Sequence, residues 1–183
     1  MAIAQVRARF ADRSVPGSGL TEALLGVAAL AIAAGTALVI TGSPRWAGAA
    51  AGGAGALLVV AGLRIARDRA PVDLFLDSVT DRAFDGCLLS AIALVLRTAD
   101  RVTAAIAVAA LVASFTAAYE RARGRALGYP VDDSLIARAL RYALVALGLL
   151  VPGWLRGTLI ALLVVSLLVV AVRASQVAKL ERE

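Results

Sequence analysis

The chain has 183 residues, 61% of them hydrophobic and 17% charged, with a mean hydropathy of +0.85. A soluble domain is roughly 45–50% apolar even with glycine counted, so this composition leaves little room for a soluble globule or a disordered chain. A net charge of +6, no histidine and a single cysteine exclude a disulfide framework, Ser-His-Asp and Cys-His catalysis, and most zinc, haem and iron–sulfur centres; a bound metal would be a hard cation on Asp or Glu oxygens.

The first thirteen residues place Ile3, Val6 and Phe10 at helical spacing, with Arg7, Arg9 and Arg13 opposite. This predicts a short amphipathic helix over 1–13, lying on an anionic leaflet; a frayed tail is the alternative. Six apolar stretches follow, each near the about 20 residues that a membrane helix needs. They cover about 20–41, 44–65, 74–96, 102–119, 134–151 and 154–172. The second is rich in small residues, among them Gly52, Gly53 and Gly55, which suit close helix packing. The third has a polar first half. Pro152 and Gly153 end the fifth. The expectation is one all-α integral membrane domain over 1–183, with six transmembrane helices and the interfacial N-terminal helix. Cys87 reads as a small packed residue. Trp46 and Trp154 fall where indole rings mark a membrane interface, and Tyr119 and Tyr129 could mark the opposite one.

The loops divide the 19 cations unevenly. The side holding both termini receives 15 of them, and the other side receives Arg45, Arg97, Arg101 and Arg156. Positive charge favours the cytoplasmic side, which predicts a multi-pass protein of the cell membrane with both termini in the cytoplasm. The basic excess needs no nucleic acid; it is either this orientation signal alone or that signal plus an anion-binding role.

The sharpest local pattern is Asp73, Asp77, Asp81 and Asp85, one carboxylate every fourth residue at the start of the third span. Each step of four overshoots a helical turn by only about 40°, so the series forms one slowly drifting stripe. Asp73, two residues after Pro71, suits a helix start. The other three lie too deep for caps. Like charges on one face need a counter-ion, either Mg²⁺ or a guanidinium. Arg64, Arg67 and Arg82 are the nearest cations in sequence.

Asp77-Ser-Val-Thr-Asp81-Arg82, followed by Asp85-Gly86, resembles the second half of the CDP-alcohol phosphatidyltransferase signature, D-x2-D-G-x2-A-R-x8-G-x3-D-x3-D. The stretch Ala118-Tyr119-Glu120-Arg121-Ala122-Arg123-Gly124-Arg125 is similar to the run that follows the fourth helix in the phosphatidylinositol-phosphate and phosphatidylglycerophosphate synthase-like branch. Arg138, Arg141 and Arg173 stand where that branch carries arginines. The resemblance implies six spans, a homodimer, and transfer of a phosphatidyl group from a CDP-lipid to a phosphorylated polyol with release of CMP. It implies Mg²⁺ or Mn²⁺ on Asp77, Asp81 and Asp85, with Asp81 as the catalytic base. It also implies Arg64 at the nucleotide phosphates, and Arg121, Arg138, Arg141 and Arg173 at the acceptor phosphate.

The first half of the signature is missing. Counting back from Asp77, Arg64 fits its arginine, but the two aspartates of the second helix fall on Ala56 and Val59 and the glycine on Val60. The Gly of the second half falls on Asp73. Near the first span, Thr21 matches the threonine of a family Asn-x-x-Thr, while Ser18 holds the Asn place. Carboxylates from one helix make a two-metal cage hard to build, although Mg²⁺ accepts one or two carboxylates plus phosphate. Two functions follow: a divergent transferase of phospholipid biosynthesis with weakened metal binding, or a non-catalytic relative acting as a partner subunit or a lipid- and anion-binding protein.

Overall fold

The computed structural model describes residues 19–68, 71–129 and 135–180. These form six helices and, among the described residues, no strand: α1 Gly19–Ile40, α2 Pro44–Asp68, α3 Pro71–Leu96, α4 Arg101–Ala126, α5 Leu135–Leu150 and α6 Leu155–Leu180. The amphipathic helix expected over 1–13 lies outside the described residues.

The helix ends follow from local chemistry. Pro44 and Pro71 open α2 and α3, where a missing N–H is harmless. Asp100 caps α4, its side chain accepting from the Thr103 N–H at 3.1 Å. Gly42 and Gly128 close α1 and α4 at φ 79° and 87°, a backbone region that other residues rarely enter. Behind each glycine the next N–H reaches back, Ser43 to the Leu38 carbonyl at 2.8 Å and Tyr129 to the Gly124 carbonyl at 3.0 Å.

The six helices form a closed ring. In space the order is α1, α2, α5, α6, α4, α3 and back to α1, with α2 also touching α3. The backbones of α3 and α5 stay more than 8 Å apart. Their side chains meet across the middle. Leu25, Ile32, Leu58, Phe84, Leu88, Ile92, Val145 and Leu159 fill the core. Helix α4 buries Ala104, Ala107, Ala110 and Ala113, a narrow stripe that lets its neighbours close in.

Glycines of α2 seat α5. A Cβ added at Gly48 would fall 2.7 Å from Leu150 Cγ, and one at Gly55 would fall 2.6 Å from Tyr142 Cβ. Gly53 has open space around it and carries no such contact. Tight packing matters more here than in water, because lipid tails supply no hydrophobic drive between helices.

Four helices are long and apolar enough to cross a membrane: α1, α2, α4 and α6. Many large apolar side chains face outward, among them Leu30, Phe75, Val112, Ile136 and Leu168. A surface this apolar suits lipid rather than water. Helix α5 has only 16 residues, and α3 carries four aspartates and Arg82 through its first half. Neither meets the length and hydropathy of a lone span. Trp46 and Trp154 are exposed at the same end of the ring. Cys87 is exposed rather than packed, because position 87 falls on the outward face of α3, between buried Phe84 and Leu88.

Candidate functional site

The aspartate stripe faces the interior. Asp73, Asp77, Asp81 and Asp85 are all buried, none more than 6% exposed. Arg138, Arg141 and Tyr142 face them from α5, at i, i+3 and i+4 and so on one side of that helix. Arg138 Nη1 donates to both oxygens of Asp77, at 2.9 and 2.7 Å. Arg141 spans two aspartates, Nη2 to Asp81 Oδ1 at 2.8 Å and Nη1 to Asp85 Oδ2 at 2.5 Å. The Tyr142 hydroxyl also donates to Asp81 Oδ1.

Arg82 closes the lattice from α3 itself. Its Nη2 donates to Asp81 Oδ2, and its Nη1 donates to the Ser114 carbonyl at 3.0 Å and Oγ at 3.1 Å. Ser114 Oγ accepts from Arg141 as well and donates to Asp85 Oδ2. Three buried carboxylates thus meet three guanidiniums, each held by at least one interhelical bond. Charge-assisted bonds of this kind offset the desolvation of both partners when geometry is good. Phe84 packs on Tyr142 with ring centroids 4.6 Å apart.

A cavity of about 50 Å³ lies beside this lattice, walled by Arg82, Arg121, Arg138, Arg141, Arg173, Ser114 and Ser166. That is about three to five times the space that one water needs. Three of these five arginines pair with the aspartates of α3, and the described lining itself includes no carboxylate. Arg173 Nη1 donates to the Ala117 carbonyl at 2.8 Å, which holds α6 against α4. Buried donors of the wall, among them Arg82 Nε and Ser166 Oγ, have no hydrogen-bond partner among the described residues.

The positions singled out in the sequence thus separate. Arg82, Arg121, Arg138, Arg141 and Arg173 converge on one cavity, and Arg138 and Arg141 also pair with the aspartates. Arg64 and Arg67 make no ion pair with an aspartate among the described residues. On α2, Ala56 is exposed and Val59 half-buried. Sequence proximity pointed to Arg64, Arg67 and Arg82; Arg82 does pair with Asp81, and α5 supplies the other two guanidiniums from about 60 residues away. Tyr142, Ser114 and Ser166 escaped the sequence reading. The spacing Arg138-x-x-Arg141-Tyr142 was the available signal, since it sets three donors on one helix face.

As arranged, these residues do not fit the two-metal cage that the resemblance implies. Both oxygens of Asp77 and of Asp81, and Oδ2 of Asp85, already accept hydrogens from nitrogen or hydroxyl donors. Among the described residues no group of three or more Asp, Glu, Cys or His is disposed to hold a metal. Asp85 Oδ1 and both oxygens of Asp73 are buried without a partner among the described residues.

A second polar cluster lies at the opposite end of the ring. Arg156 Nη2 donates to both Asp100 oxygens at 2.8 Å, and its Nε donates to Thr103 Oγ1 at 2.8 Å. Hydrogen bonds from the Thr103 side chain and backbone, then from Arg156, hold the Asp100 carboxyl down at about 2. This cluster ties the start of α6 to the start of α4.

No family model matches the chain, and no curated protein matches it.

Proposed function

We propose that this chain is a divergent CDP-alcohol phosphatidyltransferase-like membrane protein with six spans, in which paired charges let α3 and α5 lie within the bilayer. Its arginine–aspartate lattice stands where that family holds metal ions. Its task is to bind a phosphate-bearing group, from a lipid or a phosphorylated polyol, as an anion- or lipid-binding protein or a partner subunit. The observation that carries this reading is the five-arginine cavity. Its described lining holds five arginines and no carboxylate, around a space of oxyanion size. Guanidiniums suit phosphate through their fork of donors, and Ser166 Oγ and Arg82 Nε add buried donors that lack an acceptor. The cation asymmetry favours a cytoplasmic position for this cavity and for both termini. A homodimer is what the resemblance adds.

Titration of the purified protein with inorganic phosphate and glycerol 3-phosphate, read by calorimetry, tests the proposal. Saturable binding that survives EDTA and weakens strongly in Arg121→Ala and Arg173→Ala is expected. Absence of binding overturns it.

A second reading keeps the transferase. It is favoured by Asp85 Oδ1 and the two Asp73 oxygens, buried acceptors with no partner among the described residues. Release of CMP from CDP-diacylglycerol with Mg²⁺ or Mn²⁺ and a phosphorylated polyol, lost in Asp81→Asn, would establish it.

A further inference from the structure

A second cavity, of about 390 Å³, opens between the C-terminal ends of α4 and α6. It is larger than the basic cavity and falls within the size range of ligand sites. Tyr119, Glu120, Arg123, Leu127, Arg173 and Val177 line it. Its lining is amphipathic in a fixed order. Leu127, Val177 and the Tyr119 ring give it an apolar wall, while Arg123 and Arg173 bring two positive charges and Glu120 one negative. Glu120 Oε2 is buried and accepts no hydrogen bond among the described residues. The cavity sits where α4 passes from its alanine stripe to Arg121, Arg123 and Arg125, which in the proposed membrane arrangement is the depth of lipid headgroups.

We infer that this cleft binds one phospholipid whose headgroup is an anionic polyol phosphate. Among the described lining residues the charges sum to one net positive, which a singly anionic headgroup matches and a zwitterionic one does not. Arg123, beside Arg173, meets the phosphate. Glu120 Oε2 accepts from a headgroup hydroxyl. Leu127 and Val177 cover the first methylenes of an acyl chain, whose remainder stays in the bilayer. This site is separate from the phosphate-binding cavity proposed above, although Arg173 borders both, so the test leaves Arg173 untouched.

The full-length protein in detergent is offered an equimolar mixture of phosphatidylglycerol, phosphatidic acid, phosphatidylethanolamine and phosphatidylcholine. Native mass spectrometry reads the lipid retained. One phosphatidylglycerol is expected, in preference to phosphatidylcholine by about fivefold, the effect of one arginine at a membrane surface. Arg123→Ala removes that preference, and Leu127→Trp fills the cleft and removes the bound lipid. Glu120→Leu equalises phosphatidylglycerol and phosphatidic acid, which lacks the polyol. Phosphate titration of the basic cavity is unchanged in Arg123→Ala and Leu127→Trp, which separates this site from that one. Equal retention of all four lipids, preference for phosphatidylethanolamine, equal retention of phosphatidic acid and phosphatidylglycerol by the unmodified protein, or unaltered retention in Arg123→Ala and Leu127→Trp would overturn the inference.

Discussion

Arg138 of α5 donates a single nitrogen to both carboxylate oxygens of Asp77 on α3, across 61 residues of sequence and between helices whose backbones do not touch. The pair is buried on both sides. Removing one partner of such a pair leaves the other charge uncompensated, typically at about 3–5 kcal/mol, whereas replacing both with apolar residues of similar volume is often neutral. Arg138→Ala should therefore lower the unfolding temperature in detergent sharply, and Arg138→Met with Asp77→Leu should recover most of it.

Gly55 admits Tyr142, whose hydroxyl binds Asp81. Gly55→Ala puts a methyl against the Tyr142 Cβ and should destabilise by about 1–3 kcal/mol, the usual effect of overpacking. Gly53→Ala, two residues away in open space, should be close to neutral. Thermal unfolding of the two variants side by side checks this, and equal effects would break the link between the α2 glycines and α5.

Divalent cations should do little to the unmodified protein, because five of the eight carboxylate oxygens in the stripe, including all four of Asp77 and Asp81, already accept hydrogens. Its unfolding temperature is expected to be the same in EDTA and in millimolar Mg²⁺. Strong stabilisation by Mg²⁺ with CDP-diacylglycerol, lost in Asp77→Ala and Asp81→Ala, would favour the transferase reading instead.

Asp100 gives a pH dependence of defined sign. Its folded value of about 2 lies below the ordinary 3.8. A depressed carboxyl contributes stability that is fully present above the ordinary value and is lost as pH falls through the folded one. The difference in unfolding midpoint between the unmodified protein and Asp100→Asn should be constant above about pH 5. It should shrink as pH falls from about 4 towards 2, as acid scans of both proteins would reveal.

Orientation is testable at the two ends of α4. In a Cys87→Ser background, Ala99→Cys should react with a membrane-impermeant reagent added outside cells, and Ala126→Cys should not. Both positions are exposed. The reverse pattern would invert the proposed topology.

The helices were largely legible because runs of apolar side chains reveal themselves without any knowledge of contacts. Their ends were less so. Helices α4 and α6 run on to Ala126 and Leu180, past the expected 119 and 172. Hydropathy stops at Glu120 and Arg173, but backbone hydrogen bonding does not, and arginines suit a helix C-terminus. The aspartate stripe was legible from its period, and Arg82 from its proximity, but the pairing with α5 was not. Periodicity describes one helix at a time; the ring order that sets α5 opposite α3 is a property of packing, so Arg64 and Arg67 looked nearer than Arg138 and Arg141.

The gap between the α3 and α5 backbones bears on how the protein is made. Helix α3 leaves the ribosome before α5 exists, carrying Asp77, Asp81 and Asp85 with Arg82 as the only lattice cation yet synthesised. Charged residues at mid-helix oppose insertion by the translocon. In the six-span arrangement α3 must therefore wait, loosely held beside α1 and α2, until Arg138 and Arg141 emerge some 50 to 60 residues later. In that arrangement a nascent chain stopped before α5 should still present α3 to water, and adding α5 should be what brings the third helix into the membrane.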